Sequence, residues 1–221
     1  MAIQPDTSAH CEWESAYLRF ETPEQEVRKF IARLRRLDAA NWPKNATVLE
    51  LFCGRGNGLI ALDRLGFTRV RGIDLSPRLL ALHQRRGRCA VGDCRQLPIE
   101  SLSTDFAIVH GGLHHLPVLP DDLRLTVAEV RRILKPGGLF AVVEPWPTPF
   151  LEFVHRIGSS AVIRRMSRRM DALMTMIEHE RETYERWLAQ PNGIVAILTS
   201  AFEPIRMEQR WGKLLFVGRR A

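Results

Sequence analysis

Two stretches of this chain concentrate residues whose types and spacing can do chemistry. Val48-Leu49-Glu50-Leu51-Phe52-Cys53-Gly54-Arg55-Gly56-Asn57-Gly58 reads as a strand ending in an acid, followed by a glycine-rich turn into a helix. Glycines at such a turn let the backbone bend tightly and lie against a flat or extended ligand, with helix N–H groups open to an anionic end. Val109-His110-Gly111-Gly112-Leu113-His114-His115-Leu116 places three imidazoles in one loop. Imidazole titrates near working pH, so these histidines are candidates to deprotonate a hydroxyl or an acidic carbon, against the plainer role of capping or packing. Glu178, His179, Glu180 and Glu182 also cluster, but without His-Glu-x-x-His spacing. They are read as a solvated helix face, and no metal site is expected.

These residues must be positioned by regular elements. Thr22-Pro23-Glu24-Gln25 is a helix start with a Thr cap, Pro in the first turn and Gln completing a capping box. Val27, Phe30, Ile31, Leu34 and Leu37 then recur at helical spacing. From Ala46 onward, short apolar runs alternate with helical stretches, the signature of β-α units in a parallel sheet. Strands are expected over 47–51, 69–73, 89–91, 105–109 and 139–143. Ser76-Pro77 and Asp121-Asp122 open helices, and Lys135-Pro136-Gly137-Gly138 breaks the chain before the fifth strand. A helical insertion is expected over 146–203, with one helix from Met170 to Leu188 and another from Ile194 to Phe202. Residues 205–217 around Gly212 read as an antiparallel hairpin. Segment 1–45 is expected to be a helical lid or cap, and 46–221 the ligand-binding domain. Trp13, Tyr17 and Phe20, with the 170–188 helix, either cover the cleft or pack as core.

Gly56-x-Gly58-x-x-Ala61 with Asp74 downstream formally fits a dinucleotide fingerprint, yet that fingerprint begins directly at the strand end, where Glu50 and Phe52-Cys53 intervene here. An ordered series points elsewhere: Glu50 to Gly58, Arg71 to Ser76, Val91 to Pro98, Asp105 to Leu116, and Leu134 to Gly138. The series resembles the class I S-adenosylmethionine (SAM)-dependent methyltransferases, in particular the small-molecule branch that includes ubiquinone-biosynthesis-type enzymes. That resemblance implies an α/β, doubly wound Rossmann-like fold. Its seven-stranded, mostly parallel sheet would run 3-2-1-4-5-7-6, with the last hairpin as its one antiparallel edge pair. It implies SAM as cofactor, with Glu50, Gly54 and Gly56 at the methionine end and Asp74 on the ribose hydroxyls, where a carboxylate accepts both bonds of a vicinal diol. Phe52, Leu75 and His110 would border the cofactor, Asp93 would accept from the adenine amino group, and Cys94 or Arg95 would flank the ring. His114 and His115 would lie at the methyl-transfer site. Phe52 stands where the family usually has Gly, so an altered turn or a displaced cofactor is expected there. The reaction implied is methyl transfer to an oxygen or carbon of a small metabolite. The Asn/Asp-Pro-Pro-Tyr/Phe motif of amino methyltransferases and the Pro-Cys nucleophile of cytosine-C5 enzymes do not occur.

Composition bounds the alternatives. With 221 residues, 45% of them hydrophobic, disorder as the main state is excluded and a core without metal or disulfide staples is affordable. The cysteines form no CxxC pair, no apolar leader or membrane-length run occurs, and a cytoplasmic protein without a membrane span is expected. A net charge of +7 keeps RNA as a possible partner behind the small-molecule acceptor. The basic residues, however, are 28 Arg to 4 Lys and scattered as local pairs, as arginine-favouring codon usage also produces. A non-catalytic SAM-binding protein is the remaining rival.

Overall fold

The computed structural model describes residues 7–82, 88–158 and 160–221, without the side chains of 7–12 and 161. Cys11 and the Arg85-Arg86 pair therefore lie outside the described side chains. Two helices come first, α1 (Thr7–Phe20) and α2 (Pro23–Arg36). The α/β alternation follows: β1 (Thr47–Leu51), α3 (Asn57–Arg64), β2 (Arg69–Asp74), α4 (Pro77–Ala81), β3 (Cys89–Val91), β4 (Thr104–His110), α5 (Asp121–Ile133) and β5 (Leu134–Pro145). The insertion holds α6 (Pro149–Gly158), α7 (Ala161–Met166), α8 (Arg168–His179), α9 (Arg181–Leu188) and α10 (Pro191–Ala201), before β6 (Glu203–Arg210) and β7 (Lys213–Arg219).

The strands form one sheet in the order β3-β2-β1-β4-β5-β7-β6, as the resemblance implies. β7 runs antiparallel to both β5 and β6, so antiparallel pairing reaches one strand further in than an edge pair. Two local expectations are corrected. Lys135-Pro136-Gly137-Gly138 lies inside β5, which starts at Leu134 against Thr104 of β4. The single helix expected over 170–188 is two, broken at Glu180. The 7–20 segment is a helix.

Side chains alternate across the sheet and build a core on each face. Leu49, Leu51, Ala107, Val109, Phe140, Val142 and Phe216 pack beneath α5, α9 and α10. Val48, Val70, Phe106, Ile108, Ala141, Val143, Leu215 and Val217 pack beneath α2 and α3. The same alternation governs the strand ends. Glu50 and His110 continue the rows that include Val48 and Ile108, on the α2/α3 face, whereas Glu144 continues the Phe140 and Val142 row on the opposite face.

Candidate functional site

The glycine-rich turn begins at Phe52, whose φ of 55° lies in the left-handed region, and continues through Gly54 (φ 51°) and Gly56 (φ 77°). This explains why glycine suits position 52, and why a bulky residue there stores about 1–3 kcal/mol of backbone strain. The turn is nonetheless made. Phe52 rests on Gly112 of the β4 loop, where an added Cβ would lie 2.2 Å from Phe52 Cγ. Gly58 is required in the same way, since its Cβ would fall 1.9 Å from Glu50 Oε1.

Buried Glu26 on α2 ties the turn down. It accepts from Tyr17 Oη at 2.7 Å, Arg55 Nε at 2.9 Å and Asn57 Nδ2 at 2.6 Å, and Arg55 also donates to the Glu21 carbonyl at 2.7 Å. Glu50 and His110 lie side by side, Oε1 to Nδ1 at 3.4 Å, and Phe30 stacks on the imidazole at 4.8 Å. Glu50 Oε2 and His110 Nε2 are buried with no partner. Burial, then Glu26, pushes the Glu50 carboxyl up, and burial with Arg33 and Lys29 pushes His110 down. Arg33 is half-buried and Lys213 is exposed nearby. Desolvation by the surrounding protein and the two neighbouring cations bring Lys213 down to about 8.

Asp74 ends β2 and accepts from Gly54 N at 2.7 Å and Ser76 N at 2.8 Å, leaving lone pairs on both oxygens. Leu75 beside it is exposed. Ser76 Oγ donates to Glu14 of α1 at 2.5 Å, so α1 lies across the end of β2. The adenine-side expectations fare differently. Asp93 is gripped by Arg95, with Nη2 at 2.6 Å, and its carboxyl is held low by that bond. Cys94 does not flank a cleft: its thiol turns into the core against Thr126 at 3.5 Å.

On the other face, Glu144 Oε1 accepts from Gly112 N at 2.7 Å and Leu113 N at 2.8 Å, while Oε2 takes His114 Nδ1–H at 2.7 Å. His114 Nε2 then faces Glu180 Oε1 at 3.7 Å, and His115 Nδ1 lies 2.8 Å from Glu180 Oε2. Trp13 Nε1 donates to Glu180 Oε2 at 2.9 Å. Burial disfavours the His114 cation, but the two carboxylates outweigh it and raise the imidazole to about 9; Glu144 is correspondingly held low. The solvated-face reading therefore holds for Glu178, His179 and Glu182, which are exposed, and fails for Glu180, which turns inward. Its helical neighbours gave no hint, because the break between α8 and α9 is what redirects it. His114, His115 and Glu180 also have the donor types and proximity for a cation.

Residues 49–142 match the family described as methyltransferase domain. Over these residues the chain is similar to methyltransferase domains. SAM is the cofactor of such a domain, and the buried unpartnered oxygen of Glu50 beside a glycine turn suits its cationic methionine end. Demethylmenaquinone methyltransferases from Bacillus licheniformis (29% identity, 51% of this chain, 50% of that one) and Staphylococcus aureus (32%, 46% and 44%) are similar to it. The chain thus spans about half the length of these curated relatives. A protein of Pyrococcus horikoshii shares the fold at 22% identity, with a TM-score of 0.71 over 95% of this chain and 99% of that one. So does an S-adenosylmethionine-dependent methyltransferase of Mesorhizobium loti, at 19% identity, TM-score 0.57, over 85% and 98%. Among the described residues, no helix is long and apolar enough to cross a membrane.

Proposed function

We propose that this protein transfers the methyl group of SAM to an oxygen or carbon of a small-molecule acceptor bound over the His114-His115 loop. The observation that carries the reading is the pair of unpartnered, buried polar atoms, Glu50 Oε2 and His110 Nε2, placed between the glycine turn and that loop. Buried polar atoms are almost always satisfied, so a ligand completes these. Glu50 would take the amino group of the methionine end, Arg33 its carboxylate, and Asp74 the ribose hydroxyls. Asp93 reaches an adenine amino group only on loosening from Arg95. The sulfonium supplies a good leaving group, so the chain's own task is to align the acceptor and exclude water. Segment 1–45, through α1, and the insertion, through α8 and α9, serve as the covers: α1 packs along α8 and both reach Glu180. Glu144 fixes the His114 tautomer and aims Nε2 at the space where the acceptor would sit, which supports a role for that imidazole in handling the acceptor's oxygen. The demethylmenaquinone methyltransferases it resembles make demethylmenaquinone the first acceptor to assay.

The test uses S-adenosylhomocysteine. Burial raises the Glu50 carboxyl and a bound ammonium would draw it back down, so binding should release protons, read as a binding enthalpy that varies with the ionisation heat of the buffer. Asp74→Ala should weaken binding by at least about tenfold, and wild-type protein should transfer labelled methyl from SAM to an acceptor in a panel. Unchanged affinity in Asp74→Ala, with no proton released by the wild type, would sink this assignment.

A further inference from the structure

The donors gathered around Glu180 specify what kind of acceptor this site takes. His115 Nδ1 and Trp13 Nε1 meet one oxygen of the Glu180 carboxylate at 2.8 and 2.9 Å, and His114 Nε2 faces the other at 3.7 Å. The two imidazoles belong to the sheet end. They follow β4, and His114 is locked by Glu144, itself fixed by two backbone N–H groups. Trp13 and Glu180 belong to the covers, α1 and the α8/α9 break. An acceptor that enters the crevice at the sheet's carboxyl ends must pass between covers and sheet, and so must part Glu180 from the histidines. Once parted, the N–H groups of buried His114 and half-buried His115 lack that acceptor, which is unfavourable unless another oxygen takes its place.

We infer that the methyl acceptor carries an ionised oxygen, as carboxylate, phenolate or enolate, which replaces the Glu180 carboxylate between His114 and His115. The exchange puts one anion in place of another, so the site's charge balance is kept. The groups facing His114 are Glu144, Glu180, His115 and the edge of Tyr184, whose hydroxyl is engaged by His155 at 3.1 Å. With Glu144 fixed on the Nδ1 side, withdrawal of Glu180 leaves the Nε2 side of His114 without an oxygen, and an anionic ligand fills that place. This shifts the role of His114 from the proton acceptor expected of its sequence to a cationic holder of an oxygen that arrives already ionised. A neutral or cationic acceptor would gain nothing from this donor set and would face the desolvated imidazolium.

The inference rests on the methyltransferase reading, and the experiment separates the two. Sodium benzoate serves as the anionic probe and benzamide as its neutral isostere, titrated calorimetrically into full-length wild type, Glu180→Gln, Glu180→Ala and Glu180→Ala/His115→Ala, each with and without S-adenosylhomocysteine. Removing the internal competitor should tighten benzoate by at least about tenfold in Glu180→Ala, with Glu180→Gln intermediate, and the added His115→Ala should cancel the gain. Benzamide should gain less than about twofold, and S-adenosylhomocysteine affinity should stay within about twofold throughout. Equal benzoate binding by wild type and both Glu180 variants, or benzamide matching benzoate, overturns the inference and leaves Glu180 as a latch for the covers. Saturable stabilisation of wild type by Zn²⁺ that His115→Ala abolishes overturns it too, by making the cluster a cation site. Failure of S-adenosylhomocysteine to bind would strike the cofactor assignment, while the benzoate titrations without it still decide the anion site.

Discussion

At the scale of residues, the glycine turn shows how one unfavourable choice is absorbed by a neighbour. Phe52 keeps the left-handed backbone that glycine would supply freely, and its ring occupies the space left by the missing Cβ of Gly112. Two substitutions check this coupling. Gly112→Ala should destabilise the protein by about 1–3 kcal/mol through overpacking against the ring. In Phe52→Gly the alanine should become tolerated, with a double-mutant coupling above about 1 kcal/mol by denaturant unfolding. Additive effects would show that the ring and Gly112 do not constrain one another. The sequence announced the departure at position 52 but not its remedy, because the compensating glycine lies 60 positions away on another strand's loop. The carboxylates divide in the same way. Glu50, Asp74 and Glu144 were legible as strand-end acids, whereas Glu26 and Glu180 act only through contacts with distant elements. Cys94 was misjudged because alternation at a short turn does not say which neighbour points inward.

At the scale of elements, α2 does more than cap a core. Its Thr22 capping box forms as the sequence predicts, with Gln25 N donating to Thr22 Oγ1 and Thr22 N donating to Gln25 Oε1. Its Val27, Phe30 and Leu34 pack on the sheet. That amphipathic stripe was readable from spacing alone. The polar residue within it, Glu26, holds Tyr17 of α1 and both Arg55 and Asn57 of the glycine turn, so one helix sets the position of a cover and of the proposed cofactor loop. Glu26→Ala should cost about 3–5 kcal/mol, because it leaves Arg55 buried with its charge partner gone. It should also weaken S-adenosylhomocysteine binding through the loosened turn, as calorimetry would register. A variant of ordinary stability and affinity would show that the turn stands without α2. The insertion was less legible. Its helical content followed from composition, but its break at Glu180 and its anchor, Trp187 Nε1 donating to the Pro145 carbonyl at 2.9 Å, depend on what β5 presents to it.

At the scale of the whole molecule, the arginine excess is largely spent on joining elements. Arg36 pairs with Glu208, Arg131 donates to the Ala201 carbonyl, Arg132 pairs with Glu129, Arg164 with Asp171 and Glu178, and Arg220 donates to the Leu134 carbonyl. Among the described residues, each arginine pair singled out in the sequence therefore has at least one member with a partner in the fold. Global stability should carry the mark of the His114 pair. Its raised folded value means that the contribution is complete below the ordinary imidazole range near 6.5 and fades as pH rises through about 9. The difference in unfolding free energy between wild type and His114→Asn should accordingly shrink by about 3 kcal/mol from pH 6 to pH 10. A difference that is flat across that interval would mean His114 is neutral in the folded protein. The placement of β7 between β5 and β6 has a consequence for biosynthesis. From Pro145 to Lys213 the ribosome adds 68 residues, roughly 3–14 s of elongation, before the partner strand of β5 exists. During that interval the nascent sheet has an open row of N–H and C=O groups along a strand of apolar residues, the kind of edge that recruits other chains. The window in which this protein is most prone to aggregate is thus set by the length of its own helical insertion.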